Sequence, residues 1–117
     1  MNRRQWITLT ATSTALAGSR TQAQTAWPSK AITVIVPFAP GGAGNGSVRI
    51  LAEVIGPQIG QSIVVENRPG GGGVPGTQAV AQSSDDHLLL MGSTSMTIMP
   101  ALRNNLAYDV ERDLQPV

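Results

Sequence analysis

Two short β-branched runs each pour directly into a loop of glycine and proline, and this constrains the fold more than any other feature. Residues Ile32–Val36 (ITVIV) form a nearly continuous apolar run, the look of a strand buried on both faces. The run stops at Pro37, and residues 37–46 (PFAPGGAGNG) are too rich in glycine and proline for regular structure. Ser62–Glu66 (SIVVE) repeats the pattern, followed by Asn67-Arg68-Pro69 and four glycines at 70–73. Leu88–Met91 (LLLM) is a third strand candidate, closed by Gly92 and the hydroxyl run Ser93-Thr94-Ser95.

Between the runs the period changes to that of a helix. Val48, Leu51, Ala52, Val54, Ile55 and Ile59 recur at helical spacing, with Asn45 or Ser47 placed to cap the first turn. Pro57 is expected to kink the last turn or end the helix early, and Gly60 to stop it. Gly76–Gln82 is a shorter helix candidate, and 97–102 a helical turn broken by Pro100. Strand, helix, strand, helix, strand is the order of an α/β fold, a parallel sheet with flanking crossover helices.

Composition removes whole classes of function. The 117 residues contain no cysteine and one histidine, His87, which excludes disulfides, thiolate chemistry and a histidine-rich metal cage. No run approaches the roughly 18 apolar residues of a membrane span. The net charge of +1 is misleading, because Arg3, Arg4 and Arg20 lie where there is no acid. The remainder sets Lys30, Arg49, Arg68, Arg103 and Arg112 against seven acids, with few aromatic rings, so nucleic acid is not an expected partner.

Residues 1–23 have the layout of an export signal: a basic start, an uncharged stretch from Ile7 to Gly18, then small residues. Arg3-Arg4 followed by Gln5-Trp6 resembles a twin-arginine signal, and Thr21 and Ala23 place the cut after Ala23. The plainer alternative is an N-terminal tail. Export implies the periplasm, with residues 24–117 as the mature part.

Ligands of open parallel sheets sit beyond the carboxyl ends of the strands, where loops enter helices. Gly41, Gly42, Gly44 and Gly46 would let backbone N–H groups of the first loop face a ligand, and the following helix directs its positive end there. An anion is the natural guest, and a flexible connector the bland alternative. Ser93, Thr94 and Ser95 could add hydroxyl donors, or be simple turn residues.

Other chemistries fit less well. Gly71 to Gly76 matches G-x-G-x-x-G, but a polyglycine run does so cheaply and the next strand ends without an acid for a ribose. His87 with Asp85, Asp86 and a serine could be drawn as a triad, yet no nucleophile elbow is present, and a structural histidine is the commoner outcome. The adjacent carboxylates of Asp85 and Asp86 are expected to point apart. Arg49 could reach an anion or pair with Glu53, four positions on, and the pair is expected unless the loop folds back over it.

At this point the residues resemble a known family. IVPFAPGG from Ile35, with Arg49 seven residues further on, looks like the first strand and loop of the Bug (TctC-like) proteins, periplasmic receptors of tripartite tricarboxylate transporters. VVENRPG from Val64, with Gly72, Gly73 and Gly76, resembles their second strand and loop, the most diagnostic segment. LLMG from Leu89, Ser93-Thr94, Pro100-Ala101-Leu102, Leu106, Tyr108-Asp109 and Asp113 follow the third. The chain departs from the family pattern at Asn45, usually aspartate, and at Ser84–Leu88, where Asp86 replaces a glycine and a strained or remodelled turn is expected. Met99, Arg103 and Ala107 also differ.

The resemblance implies the incomplete first lobe of a type II periplasmic-binding-protein-like clamshell, with the first strand central and the other two beside it. It implies a receptor and not an enzyme, without cofactor or metal, that takes a small carboxylate and hands it to membrane transport subunits. The expected ligand-side residues are Phe38 as an apolar wall, Ala39, Gly41, Gly42 and Asn45 from the first loop, and Ser93, Thr94 and Ser95 from the third. Family members are two to three times longer, so the chain is expected to stop inside its first lobe. An exported non-functional fragment and a small secreted hydrolase are the rival expectations.

Overall fold

The structure, a computed structural model, describes residues 25–117, so the export signal expected at 1–23 lies outside the described residues. β1 (Ile32–Val36), β2 (Ile63–Asn67) and β3 (Leu88–Leu90) form one parallel sheet in the order β2-β1-β3. The central position of β1 is the one the resemblance implies. Ile35 and Val36 are fully buried and Ile32 nearly so, because this strand is covered by a neighbour on each side as well as by helices. Register pairs Ile35 with Glu66 on one side and Leu90 on the other, so the strands leave the sheet together.

Each strand is followed by a helix: α1 (Ala43–Ile59) after β1, α2 (Val74–Ala81) after β2 by way of a 3₁₀ turn at Gly71–Gly73, and α3 (Thr94–Leu102) after β3. A short α4 (Val110–Asp113) closes the chain. An early end of α1 at Pro57 and a break of α3 at Pro100 are corrected. Pro57 lies inside α1, which runs on to Ile59 and ends at Gly60 in the left-handed conformation (φ 70°), its N–H bonded to Gly56 O. Pro100 lies inside α3, which starts at Thr94 and reaches Leu102. A proline removes one backbone bond. The neighbouring turns hold in both helices, as the Arg103 N–H to Met99 O bond shows for α3.

Of the two expectations for the turn before β3, strain and remodelling, the first is corrected. Among the described residues no non-glycine residue has positive φ, so Asp86 is unstrained. Asp85 closes the turn with its side chain, accepting from the His87 N–H at 3.0 Å, while the Leu88 N–H donates to Asp85 O at 3.1 Å. The two carboxylates converge on one imidazole, with Asp86 Oδ1 2.5 Å and Asp85 Oδ1 3.7 Å from His87 Nδ1. His87 is 4% exposed and structural. Its Nε2 accepts from the Ser29 N–H at 3.0 Å, its ring lies 5.8 Å from that of Trp27, and the Trp27 indole N–H donates to Asp86 O. Lys30 completes the strap with a 2.8 Å bond to Asp85, whose carboxyl it holds below the usual range together with the His87 N–H.

Replacing His87 by alanine should therefore release residues 27–30 from the sheet. The expected result is a red shift and stronger quenching of Trp27 emission, with a loss of about 2 kcal/mol of stability from the lost acceptor and packing. Urea unfolding followed by fluorescence checks both.

α4 carries a second pH signature. Asp109 accepts from the N–H groups of Glu111 and Arg112, while Asp113 accepts from the Asp109 N–H. The Arg112 guanidinium, aided by that N–H, lowers the Asp113 carboxyl to about 2. A carboxyl lowered on folding contributes stability above its unfolded value, and that contribution is lost as pH falls through the folded one. Carboxyl NMR should place the Asp113 midpoint near 2, with α4 fraying between about pH 4 and 2.

Candidate functional site

Parallel strands bring three helix beginnings to one edge of the sheet. α1 has Gly42 at its N-cap, α2 has Gly73 and α3 has Ser93; none makes a side-chain cap bond, and none has an acid in its first turn. The first turn of a helix leaves its backbone N–H groups without intrahelical partners. In α1 the Gly46 N–H is the first to bond back, to Gly42 O at 3.1 Å, which leaves Ala43, Gly44 and Asn45 as donors. In α3 the Met96 N–H bonds to Ser93 O, leaving Thr94 and Ser95. Pro75 has no N–H to offer, so α2 is the poorest of the three.

α1 starts at Ala43, so Asn45 lies inside its first turn and neither Asn45 nor Ser47 caps it. The reason is a buried bond network that fixes the register. Asn45, 5% exposed, donates through Nδ2 to Asn67 Oδ1 at 2.8 Å and accepts through Oδ1 from Arg49 Nε at 2.9 Å. Arg49 thus turns back to Asn45 rather than forward to Glu53, because a buried amide oxygen needs a donor. Asn67, the last residue of β2, donates in turn to Phe38 O at 2.9 Å and holds the first loop in place. Sequence reasoning missed Asn67 as part of the site. Its only signal was a polar amide ending an apolar strand.

The remaining expected residues divide by exposure. Phe38, Ala39, Gly41 and Gly42 are exposed on the first loop, with Gly41 at φ 92° making the turn. Thr94 is exposed, and half-buried Ser93 and Ser95 face each other with oxygens 3.1 Å apart. Met91 bridges the two groups: a Cβ at Gly44 would lie 2.6 Å from its methyl and 4.0 Å from Phe38 Cδ2. The G-x-G-x-x-G glycines serve packing, since Cβ atoms at Gly73 and Gly76 would lie 3.2 and 3.1 Å from Pro37 Cβ.

The helix-start donors at this edge are neutral dipoles. Of the nearby arginines, Arg49 bonds through Nε to Asn45 at 2.9 Å and Arg68 pairs with Glu66 at 2.7 Å. Asp85, Asp86 and His87 sit before β3, at the opposite end of the sheet from Ser93–Ser95, so no triad is assembled. Their ligand atoms lie within 4.8 Å of one another, but both ring nitrogens of His87 already have protein partners.

Comparison with known proteins identifies the family. Residues 47–117 match the family TctC, described as tripartite tricarboxylate transporter family receptor. The protein BugT of Bordetella pertussis is 42% identical over 94 residues, 78% of this chain and 29% of its own length. A solved periplasmic transporter superposes with a TM-score of 0.74 at 42% identity, covering 79% of this chain and 32% of that one. MatC of Rhodopseudomonas palustris, solved with bound malate, does so at 0.65 and 32% identity, covering 77% of this chain and 31% of its own. An R. palustris protein solved with adipate gives 0.57 at 31% identity, covering 60% and 24%. The chain spans about 30% of the length of the curated relatives it matches. The relatives are solute-binding receptors, not enzymes, and the chain belongs to the TctC family of tripartite tricarboxylate transporter receptors.

Proposed function

We propose that this chain forms part of the first lobe of a periplasmic receptor that captures a small carboxylate for a tripartite tricarboxylate transporter. The observation that carries this reading is the convergence of uncapped, acid-free helix beginnings at one sheet edge. Backbone N–H groups there offer hydrogen bonds and a positive dipole end to an anion. Ala39, Gly41 and Gly42 shape the loop so that the donors of α1 face outward, and Phe38 walls it. Ser93, Thr94 and Ser95 supply N–H and hydroxyl donors from α3. Asn45 acts by holding α1 against Asn67. Malate and adipate in the two R. palustris structures support a dicarboxylate as the class of ligand. Residues 1–23 direct export, residues 24–117 fold outside the inner membrane, and membrane transport subunits receive the ligand. No bond is made or broken, and no cofactor is needed.

Two-lobed receptors enclose a ligand between walls, whereas one lobe leaves its donors in competition with water. Affinity of the chain alone should then be roughly millimolar. At 20-fold excess over such a Kd the ligand stabilises by about 2 kcal/mol, which raises the unfolding temperature by several degrees. Thermal unfolding in malate or adipate, against sodium chloride of equal ionic strength, tests the proposal. A shift no larger than that of the chloride control would contradict it.

A further inference from the structure

β3 hands over to Met91, whose N–H donates to Ile35 O at 2.8 Å. That bond fixes the residue beside β1 at the point where both strands leave the sheet. The side chain then crosses to α1: at Gly44, the second residue of the helix, a Cβ would lie 2.6 Å from the Met91 methyl and 2.9 Å from its sulfur. The Phe38 ring borders the same point at 4.0 Å. Two residues past Met91 the chain reaches Ser93, the N-cap of α3. The donors of α1 are therefore bordered by a thioether and an aromatic ring, and those of α3 begin a few residues beyond that thioether in the chain.

On the anion-site reading, the carbons next to a carboxylate held by the α1 donors come up beside Met91. We infer that Met91 is a specificity-determining residue, favouring carboxylates whose neighbouring carbons are plain hydrocarbon over hydroxylated ones. This rests on the anion-site reading above. Methylenes seated on the thioether leave water and gain contact, whereas a hydroxyl there gives up a water bond, since the thioether is at best a weak acceptor. The side chain is also flexible enough to follow ligands of different shape.

The test is an amide NMR titration of the full chain with succinate and with tartrate, two four-carbon dianions that differ in hydroxylation, read at the Gly44 N–H. Wild type should bind succinate more tightly by roughly fourfold or more, about the effect of one buried methylene. Met91→Gln, of similar length but polar, should bring the two affinities to within about twofold, while Met91→Leu should keep the preference. If Met91→Gln does not fold, Gly44→Ala serves instead. Its methyl needs the space of the Met91 methyl, so the preference should collapse there too. A wild-type ratio near unity, or a preference kept in the variants, overturns the inference and leaves the anion site standing. No response of Gly44 to either acid in wild type overturns the site itself, and the inference with it.

Discussion

Replacing Gly42 with aspartate should abolish carboxylate binding and leave the fold slightly more stable. Gly42 is the N-cap of α1, with φ −73° and ψ 164°, a conformation open to any residue. A Cβ there meets only Ala39 O at 3.8 Å. An aspartate at this position accepts from the N–H groups of Gly44 and Asn45, the donors assigned to the ligand. It also places a fixed negative charge beside the bound carboxylate. At about 4 Å and a surface-like dielectric that repulsion is roughly 4 kcal/mol, so a loss well beyond tenfold is expected. The new cap and its charge at the helix start should add about 0.5–1 kcal/mol of stability. Titration with malate and urea unfolding read the two effects separately. Undiminished binding would mean that α1 does not face the ligand.

The second large effect lies at the end of β1. Gly73 combines φ +84° with a Cβ position 3.2 Å from Pro37 Cβ, so Gly73→Ala meets both a disfavoured backbone and a buried neighbour. The left-handed conformation costs an alanine about 1–2 kcal/mol, and crowding a packed site typically costs about 1–3 more. A loss of about 2–5 kcal/mol is expected, a large share of the stability of a small domain. Gly46→Ala should move the other way by about 0.5–1 kcal/mol. It lies in a helix with nothing within 4 Å of its Cβ. Opposite signs in the two urea midpoints would confirm that the two glycine-rich loops differ in kind.

The same contrast explains what the sequence reveals and what it hides. Strands β1 and β2 are legible within a residue because their β-branched runs are local signals, whereas β1's place in the centre is implied by the resemblance, since the equally apolar β3 lies at the sheet edge. The start of α1 is hidden, because AGNG reads as a breaker by composition. It becomes helical through Asn45 and Asn67, which meet across 22 residues of sequence. Pro57 and Pro100 mislead for a related reason, since a single missing backbone bond is outweighed by the turns on either side. The turn at Asp85–His87 looked strained because Asp86 stands in place of glycine, yet the Asp85 side chain closes it at ordinary φ. Within the site, the exposed loop residues were legible from glycine content and position. Met91 and Asn67 were not, because each acts on a distant element that no local pattern announces.

The central claim is that a carboxylate is held by the beginnings of α1 and α3 together. Backbone amide shifts during titration with malate, set beside the same titration with its uncharged diamide, test it most directly. The account predicts saturable shifts at Ala43, Gly44, Thr94 and Ser95 with the dianion, with a single affinity at both helices and none for the diamide. Equal shifts with the diamide, or shifts confined to the Asp85–His87 end of the sheet, would contradict it.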